Sequence, residues 1–312
     1  MNIVPIVFAF DNNLILPACV CISSLMMNAN EDTFYDIFIL HSAHIKLKKE
    51  ELDKLPLYYK NCRIQYKQVD DTFDSSFEIR GITTPAYYRL LIPELITEYD
   101  KVIYSDADII FRMDLSELYH SDISQYYLAA TKDVWLNFSD DGMKYISSVN
   151  GLRQGRYLQS GFIMMNCKKM LEDKLVDKFR NFAKEKLKYQ DQDILNLTCG
   201  EKVLFLSMKY NMTDNLYYFL NKERDKIASI LSGEDICKAM NNGNIHFNGH
   251  KPWKKYSINF DVWWEYYRKS PFFDERFYFD YFYYRLNIFD QLSLWKRIKI
   301  LVRYFVYGKR II

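Results

Sequence analysis

No window of 18 uninterrupted apolar residues occurs in the chain, so a membrane-spanning helix is not expected. The first apolar run, Ile3–Phe10, lacks a basic flank before it and meets Asp11 directly after it. It therefore reads as a buried strand rather than a signal peptide. The six cysteines, Cys19, Cys21, Cys62, Cys167, Cys199 and Cys237, form no C-x-x-C pair and no dense framework. They are expected to be free thiols in a reducing cytoplasm. Internal repeats and low-complexity linkers are absent as well. The chain also lacks the spread of positive charge that a nucleic-acid binder carries. Its net charge is +2, but residues 295–312 alone hold six cations (Lys296, Arg297, Lys299, Arg303, Lys309 and Arg310) and no acid, leaving about −4 on the rest. No nucleic-acid partner is expected.

What is present is a soluble globular composition, 49% hydrophobic and 26% charged over 312 residues, enough for one large domain or two ordinary ones. Aromatic residues make up 17% of the chain, and 21 of them fall between Trp253 and Ile312. That enrichment assigns the C-terminus a separate job. Ahead of it, short apolar runs alternate with helix-period segments. Ile3–Phe10 precedes a helical pattern over Leu14–Met27, with Asp11, Asn12 and Asn13 as caps. Tyr35–Leu40 precedes a charged helix over Lys46–Leu55, and Cys62–Val69 precedes a helical Thr84–Pro93. The strand Lys101–Tyr104 ends at Asp106-Ala107-Asp108. Further strands are expected at Leu128–Thr131 and Phe162–Met165, helices at Lys169–Leu187 and Asp191–Asn196, and a last strand into His246. The alternation predicts an α/β domain with a mostly parallel sheet. Ligands of such sheets bind beyond the carboxyl ends of the strands, and Asp11, Asp106 and Asp108 all sit there.

Two segments carry chemistry. Two carboxylates one residue apart at a strand end can hold a hard divalent cation, which would neutralise charge on a leaving diphosphate. Asp106 and Asp108 are such a pair, although an Asp-x-Asp tripeptide is also common in solvated turns. The second segment is His246-Phe-Asn-Gly249-His-Lys251-Pro-Trp253. It combines a nitrogen ligand, a glycine that lets backbone approach a phosphate, and a lysine charge.

In their order the motifs resemble glycosyltransferase family 8, whose members are retaining sugar-nucleotide transferases and include bacterial lipopolysaccharide galactosyl- and glucosyltransferases and glycogenin. The resemblance runs from residue 3 to Trp253. It rests on Ala9-Phe-Asp11-Asn-Asn13, Arg89 in Tyr-Tyr-Arg-Leu, the Asp106–Asp108 pair, Gln159-Ser160-Gly161, Gln190-Asp191-Gln192-Asp193-Ile-Leu-Asn196 and the His246–Trp253 close. It implies a GT-A, Rossmann-like nucleotide-sugar domain over residues 1–255, followed by a small helical, aromatic and basic segment over residues 256–312. It implies that Ala9, Asp11 and Asn13 line the uridine and ribose pocket, and that Asp106, Asp108 and His246 bind Mn2+ (or Mg2+), with Ala107 also on the donor side. Gly249 and Lys251 would hold the diphosphate, Arg89 and Asp191 would contact the donor sugar, and Gln192 would lie by the anomeric carbon. Gln192 and Asp191 are thus the implied catalytic pair. Two carboxylates and an imidazole suit a borderline ion such as Mn2+.

The implied reaction is transfer of galactose or glucose from a UDP-hexose, with retention, to a hydroxyl of a glycan or lipid-linked glycan. An amide is a poor nucleophile, so a front-face route is favoured, in which the departing phosphate helps the acceptor lose its proton. The sequence departs from the family pattern at Gln159, where Asn is frequent, and a longer amide shifts its hydrogen-bonding tip by a methylene. It departs again between Gly249 and Lys251, where only His250 intervenes.

From Leu294 on, Lys296, Lys299, Arg303 and Arg310 fall on one helical stripe, with Leu294, Ile298, Leu301, Val302 and Phe305 opposite. Residues 294–310 thus read as a helix lying on an anionic membrane surface, placing the enzyme at the inner face of the cytoplasmic membrane. Three rival readings remain: a UDP-sugar-binding protein without turnover, a glycogenin-like transferase with a protein acceptor, and a haloacid-dehalogenase-type phosphatase. The last wants its aspartate pair after the first strand and leaves the His246–Trp253 block unexplained.

Overall fold

The computed structural model describes residues 2–73, 84–228, 231–287 and 291–307, so Lys309 and Arg310 of the basic tail lie outside the described residues. The chain forms two compact units, divided between Pro271 and Phe272. In the first, seven strands make one sheet: β1 (Asn2–Ala9), β2 (Thr33–Ser42), β3 (Cys62–Val69), β4 (Val102–Ser105), β6 (Leu128–Lys132), β7 (Leu158–Met165) and β8 (Val203–Phe205). Their order is β3-β2-β1-β4-β7-β6-β8. All pairs are parallel except those of β7, which runs antiparallel to both β4 and β6. A small second sheet joins β5 (Ile109–Ile110), β9 (Met212–Thr213) and β10 (Ile245–His246) in the order β5-β10-β9. This is the mostly parallel α/β architecture expected from the alternation.

Hydrophobic runs rather than alternating patterns form the inner strands because both faces of the sheet are covered. Val4, Ile6, Val7 and Phe8 of β1, and Ile37 to Leu40 of β2, are all fully buried. One face is covered by the segment 84–95 and the helices Cys167–Glu172, Leu175–Phe182 and Gln190–Cys199. Leu90, Ile92, Met170, Phe179 and Leu195 from these pack with Val7, Tyr104 and Ile163 of the sheet. The helix Ile15–Met27 is buried from Pro17 to Met26. The switch in connection direction falls at β1, which has β2 on one side and β4 on the other. The crevice beyond these strands' carboxyl ends is where such folds hold ligands.

Three elements differ from the sequence expectation. The charged stretch Lys46–Leu55 is not one helix: a 3-10 turn at Leu52–Lys54 leads into a short helix at Leu55–Tyr58. Upstream, the Asn12 side chain donates to Lys46 O (3.0 Å), a carbonyl a helix starting there would use, and accepts from Lys48 N (2.8 Å). The helix expected over Lys169–Leu187 is broken in two, because Lys174 adopts a left-handed conformation (φ 52°). At the break, Asp173 accepts the Tyr127 hydroxyl (2.5 Å) and Leu175 is turned into the core. Finally, β7 starts at Leu158, so Gln159, Ser160 and Gly161 lie inside a buried strand.

The aromatic stretch after Trp253 divides between the units. The helix Phe260–Lys269 belongs to the first, where Trp263, Trp264 and Tyr267 are buried, with Trp263 stacked on Tyr267 at 5.4 Å. The second unit contains the helices Glu275–Leu286 and Leu294–Tyr307. In the latter, Leu294, Trp295, Leu301, Val302 and Phe305 are exposed. Among the described residues, no helix is long and apolar enough to cross a membrane. All six cysteines are free thiols, with only Cys237 exposed.

Candidate active site

Backbone pairing, not sequence proximity, assembles the centre of the site. Asp108 is followed immediately by β5, and β5 runs antiparallel to β10 with Ile109 opposite His246. Phe247 N donates to Asp108 O (3.0 Å), locking the two segments together. On the other side, Asp106 N donates to Gly161 O (2.7 Å), which ties the end of β4 to the middle of β7. One ligand atom from each of Asp106, Asp108 and His246 lies within 4.8 Å of the others.

The three side chains converge on one another from two carboxylates and an imidazole. His246 Nε2 lies 3.2 Å from Asp108 Oδ1 and 3.7 Å from Asp106 Oδ2. Both His246 Nε2 and Asp108 Oδ1 are buried without a hydrogen bond of acceptable geometry. Buried polar atoms left unpaired are rare in native proteins, and here they converge from oxygen and imidazole donors of the kind that bind divalent ions. The residue set therefore fits a metal such as Mn2+ or Mg2+. Burial works against the charged form of Asp108, but the Lys251 charge beside it holds its carboxyl well below the usual range. Lys251 donates to Asp108 Oδ2 and, at 2.6 Å, to Phe247 O.

The remaining residues are arranged around a cavity of about 770 Å³. Ala9, Asp11, Asn13, Arg89, Asp106, Ala107, Asp108, Gln159, Asp191, Gln192, His246 and Lys251 all line it. Gly249 is the one residue singled out by sequence that does not line it. A β-carbon there would sit 2.5 Å from Asp214 Oδ2, so that carboxylate would have to turn aside for any larger residue. At the β1 end, Asp11 caps the turn Asn12–Leu14, its Oδ1 accepting from Asn13 N at 2.9 Å.

Arg89 is the hub of the opposite wall. Its Nη2 donates to Asp106 Oδ1 (2.9 Å), its Nη1 to Ser160 O (2.7 Å) and its Nε to Ala86 O (2.9 Å), while Nε lies 3.2 Å from Asp191 Oδ2. Being 5% exposed, it couples Asp106 to Asp191 as much as it faces the cavity. Burial raises the Asp191 pKa to about 6, with the Arg89 charge opposing that rise. Ser160 Oγ donates to Asp191 Oδ2 at 3.0 Å. Gln192 is held at both ends of its amide: Oε1 accepts from Ser160 N and Nε2 donates to Asp133 Oδ2, each at 3.0 Å.

Several cavity residues escaped the sequence reading. Asp133 is half-buried, its pKa is raised by desolvation, and it caps the helix Val134–Phe138 while touching Gln192. The available signal was its position just past a strand, like Asp11 and Asp106. Trp135, Tyr189, Asn215 and Asn248 also line the cavity, and no spacing rule marks them. Asp214 faces the closing loop, its pKa raised to about 6 by burial. The aspartate pair follows β4, not the first strand, which removes the phosphatase arrangement.

Comparison with known proteins gives a consistent picture. The profile of glycosyl transferase family 8 matches residues 5–257. A provisionally named glycosyltransferase of Haemophilus influenzae is 29% identical over 213 residues, covering 67% of this chain and 63% of that one. Lipopolysaccharide 1,2-glucosyltransferase of Escherichia coli is 29% identical over 179 residues, covering 55% of this chain and 50% of that one. The chain thus spans less than two thirds of the length of either relative. Among solved structures, the galactosyltransferase LgtC, in complex with donor and acceptor sugar analogues, superposes with a TM-score of 0.69. It is 25% identical, and the match covers 87% of this chain and 98% of LgtC.

Proposed function

The chain belongs to glycosyl transferase family 8, and from that premise we propose that it moves a hexose, galactose or glucose, from a UDP-sugar to a hydroxyl of a surface glycan with retention of the α-configuration. The observation that carries this reading is the Asp106–Asp108–His246 cluster with its unpaired Nε2 and Oδ1, set beside Lys251 at the switch point of the sheet. A divalent cation bound there supplies Lewis-acid stabilisation of charge on a departing diphosphate. Asp106, Asp108 and His246 hold it. Lys251, paired with Asp108, turns its charge to the phosphate of an entering nucleotide. Ala9, Asp11 and Asn13 form the nucleoside end, and Ala107 lies between the two ends.

Around the sugar, Arg89 and Asp191 orient hydroxyls, and Gln192 borders the anomeric carbon. The bonding of these side chains favours a front-face displacement. Gln192 is an amide fixed by Ser160 and Asp133, and Asp191 is held by Arg89 and Ser160, so neither is a free nucleophile. The bond from C1 to the phosphate oxygen breaks as the bond from C1 to the acceptor oxygen forms on the same face. The acceptor proton passes to the departing phosphate. The cavity volume of about 770 Å³ suits a nucleotide-sugar with room for an acceptor hydroxyl.

The tail reading is part of the same proposal. The helix Leu294–Tyr307 exposes apolar side chains together with Lys296, Lys299 and Arg303, the composition of a segment that rests on anionic lipid. That would hold the enzyme at the cytoplasmic face of a membrane bearing a lipid-linked acceptor. The test of the central claim is calorimetric titration of UDP with and without Mn2+ into wild type and Asp108→Ala. Manganese-dependent UDP binding that disappears in the variant is the expected result. Absence of UDP binding to wild type under both conditions would refute the reading.

A further inference from the structure

Asn211, completely buried between the turn Met208–Tyr210 and β9, belongs to none of the motifs. Its side chain nevertheless links two of them. Gly161 N donates to Gln159 Oε1 at 2.7 Å. The same oxygen accepts from Asn211 Nδ2 at 2.6 Å. The other end of the Asn211 amide, Oδ1, lies 2.9 Å from His246 Nδ1. Each link has only one consistent polarity. A backbone N–H can only donate, so the Gln159 atom facing it is the carbonyl oxygen. An oxygen facing Asn211 requires the Asn211 NH2 there, which leaves Asn211 Oδ1 toward the imidazole. An amide oxygen only accepts, so Nδ1 must carry the proton.

We propose that Asn211 is a positioning residue that keeps neutral His246 in its Nδ1–H form and so turns the Nε2 lone pair toward Asp106 and Asp108, with Gln159 anchoring Asn211 to the Gly161 backbone. The proposal deepens the metal-site reading above and rests on it. A histidine that binds a metal through one nitrogen has its tautomer set by the hydrogen bond of the other. Here that bond comes from a neutral amide whose own orientation traces back to a main-chain N–H. It also accounts for Gln159: its amide reaches from β7 to both the Gly161 amide and Asn211. The reverse tautomer would need the Asn211 amide flipped, setting its oxygen against Gln159 Oε1 in a buried place.

Nitrogen-15 NMR of metal-free, histidine-labelled protein, recorded well above the usual imidazole titration range, reads the tautomer directly. Only five histidines are present, and His246→Gln assigns the signal. Wild type is expected to show Nδ1–H at His246, and Nε2–H would overturn the proposal without any variant having to fold. Asn211→Leu is expected to shift His246 toward Nε2–H and to raise the Mn2+ Kd, measured by electron paramagnetic resonance, about 10- to 100-fold. A folded Asn211→Leu with wild-type tautomer and wild-type Mn2+ affinity would overturn the proposal. Wild type with Nδ1–H but no Mn2+ binding would leave the relay standing and refute the metal site, so the two failures are distinguishable.

Discussion

Replacing Gly161 by alanine tests whether the absence of a side chain is what lets the two halves of the Asp106–Asp108–His246 cluster meet. A β-carbon at this position would lie 2.4 Å from His246 Cε1 and 2.6 Å from Asp106 Oδ2. Non-bonded heavy atoms prefer separations of about 3.5–4.0 Å, so both neighbours must give way by roughly 1 Å. Neither can do so freely. His246 is 1% exposed and bonded to Asn211, and Asp106 is held by Arg89 and by the Tyr104 hydroxyl at 2.7 Å. Overpacking of this kind costs about 1–3 kcal/mol, which lowers the unfolding midpoint by several degrees. Metal–ligand distances tolerate only about 0.2 Å of error. Displacing one or two ligands should therefore weaken Mn2+ binding at least about 10-fold, near 1.4 kcal/mol. Thermal unfolding and Mn2+ titration of Gly161→Ala measure the two effects together. Gly233→Ala is the control, because nothing lies within 4 Å of a β-carbon there; it should be neutral or slightly stabilising. Wild-type Mn2+ affinity and midpoint in Gly161→Ala would refute the reasoning.

Other outcomes are expected. Burial raises the Asp191 pKa to about 6, above the ~3.9 of an unfolded aspartate. Between those values the native state holds a proton that the unfolded chain releases. This contribution to stability is therefore full below pH ~4 and lost as the pH rises through ~6. Unfolding curves of wild type and Asp191→Asn should diverge across this window by on the order of 2–3 kcal/mol; parallel pH profiles would contradict the assignment. Trp263→Ala removes a fully buried ring stacked on Tyr267 and should destabilise by about 3–5 kcal/mol, read by denaturant unfolding. If the basic helix docks on lipid, the protein should sediment with vesicles containing anionic lipid and stay behind with neutral ones, and Lys296→Glu with Lys299→Glu should abolish the difference. Equal sedimentation by both proteins would remove the membrane reading.

The strand–helix alternation, the mostly parallel sheet and the strand-end location of Asp11, Asp106 and Asp108 were legible from residue order alone. Buried strands need continuous apolar runs, and ligating residues follow where such runs stop. Local bonding that competes with a helix was not legible. Nothing in Lys46–Leu55 shows that the Asn12 side chain occupies the backbone groups of Lys46 and Lys48. Nor does the Lys169–Leu187 pattern show the left-handed turn at Lys174.

Residue types and their order determined which side chains carry chemistry: an aspartate pair, a histidine, a lysine and a glutamine, each placed in a recognisable motif. Tertiary structure decided what those side chains do to one another. Only the pairing of β5 with β10 sets His246 against Asp108, and only the fold makes Arg89 a bridge between Asp106 and Asp191. Asn211 and Asp133 follow the same logic. Their importance lies in partners far away in the chain, and hydrogen bonds between distant segments leave no periodicity or spacing in one sequence.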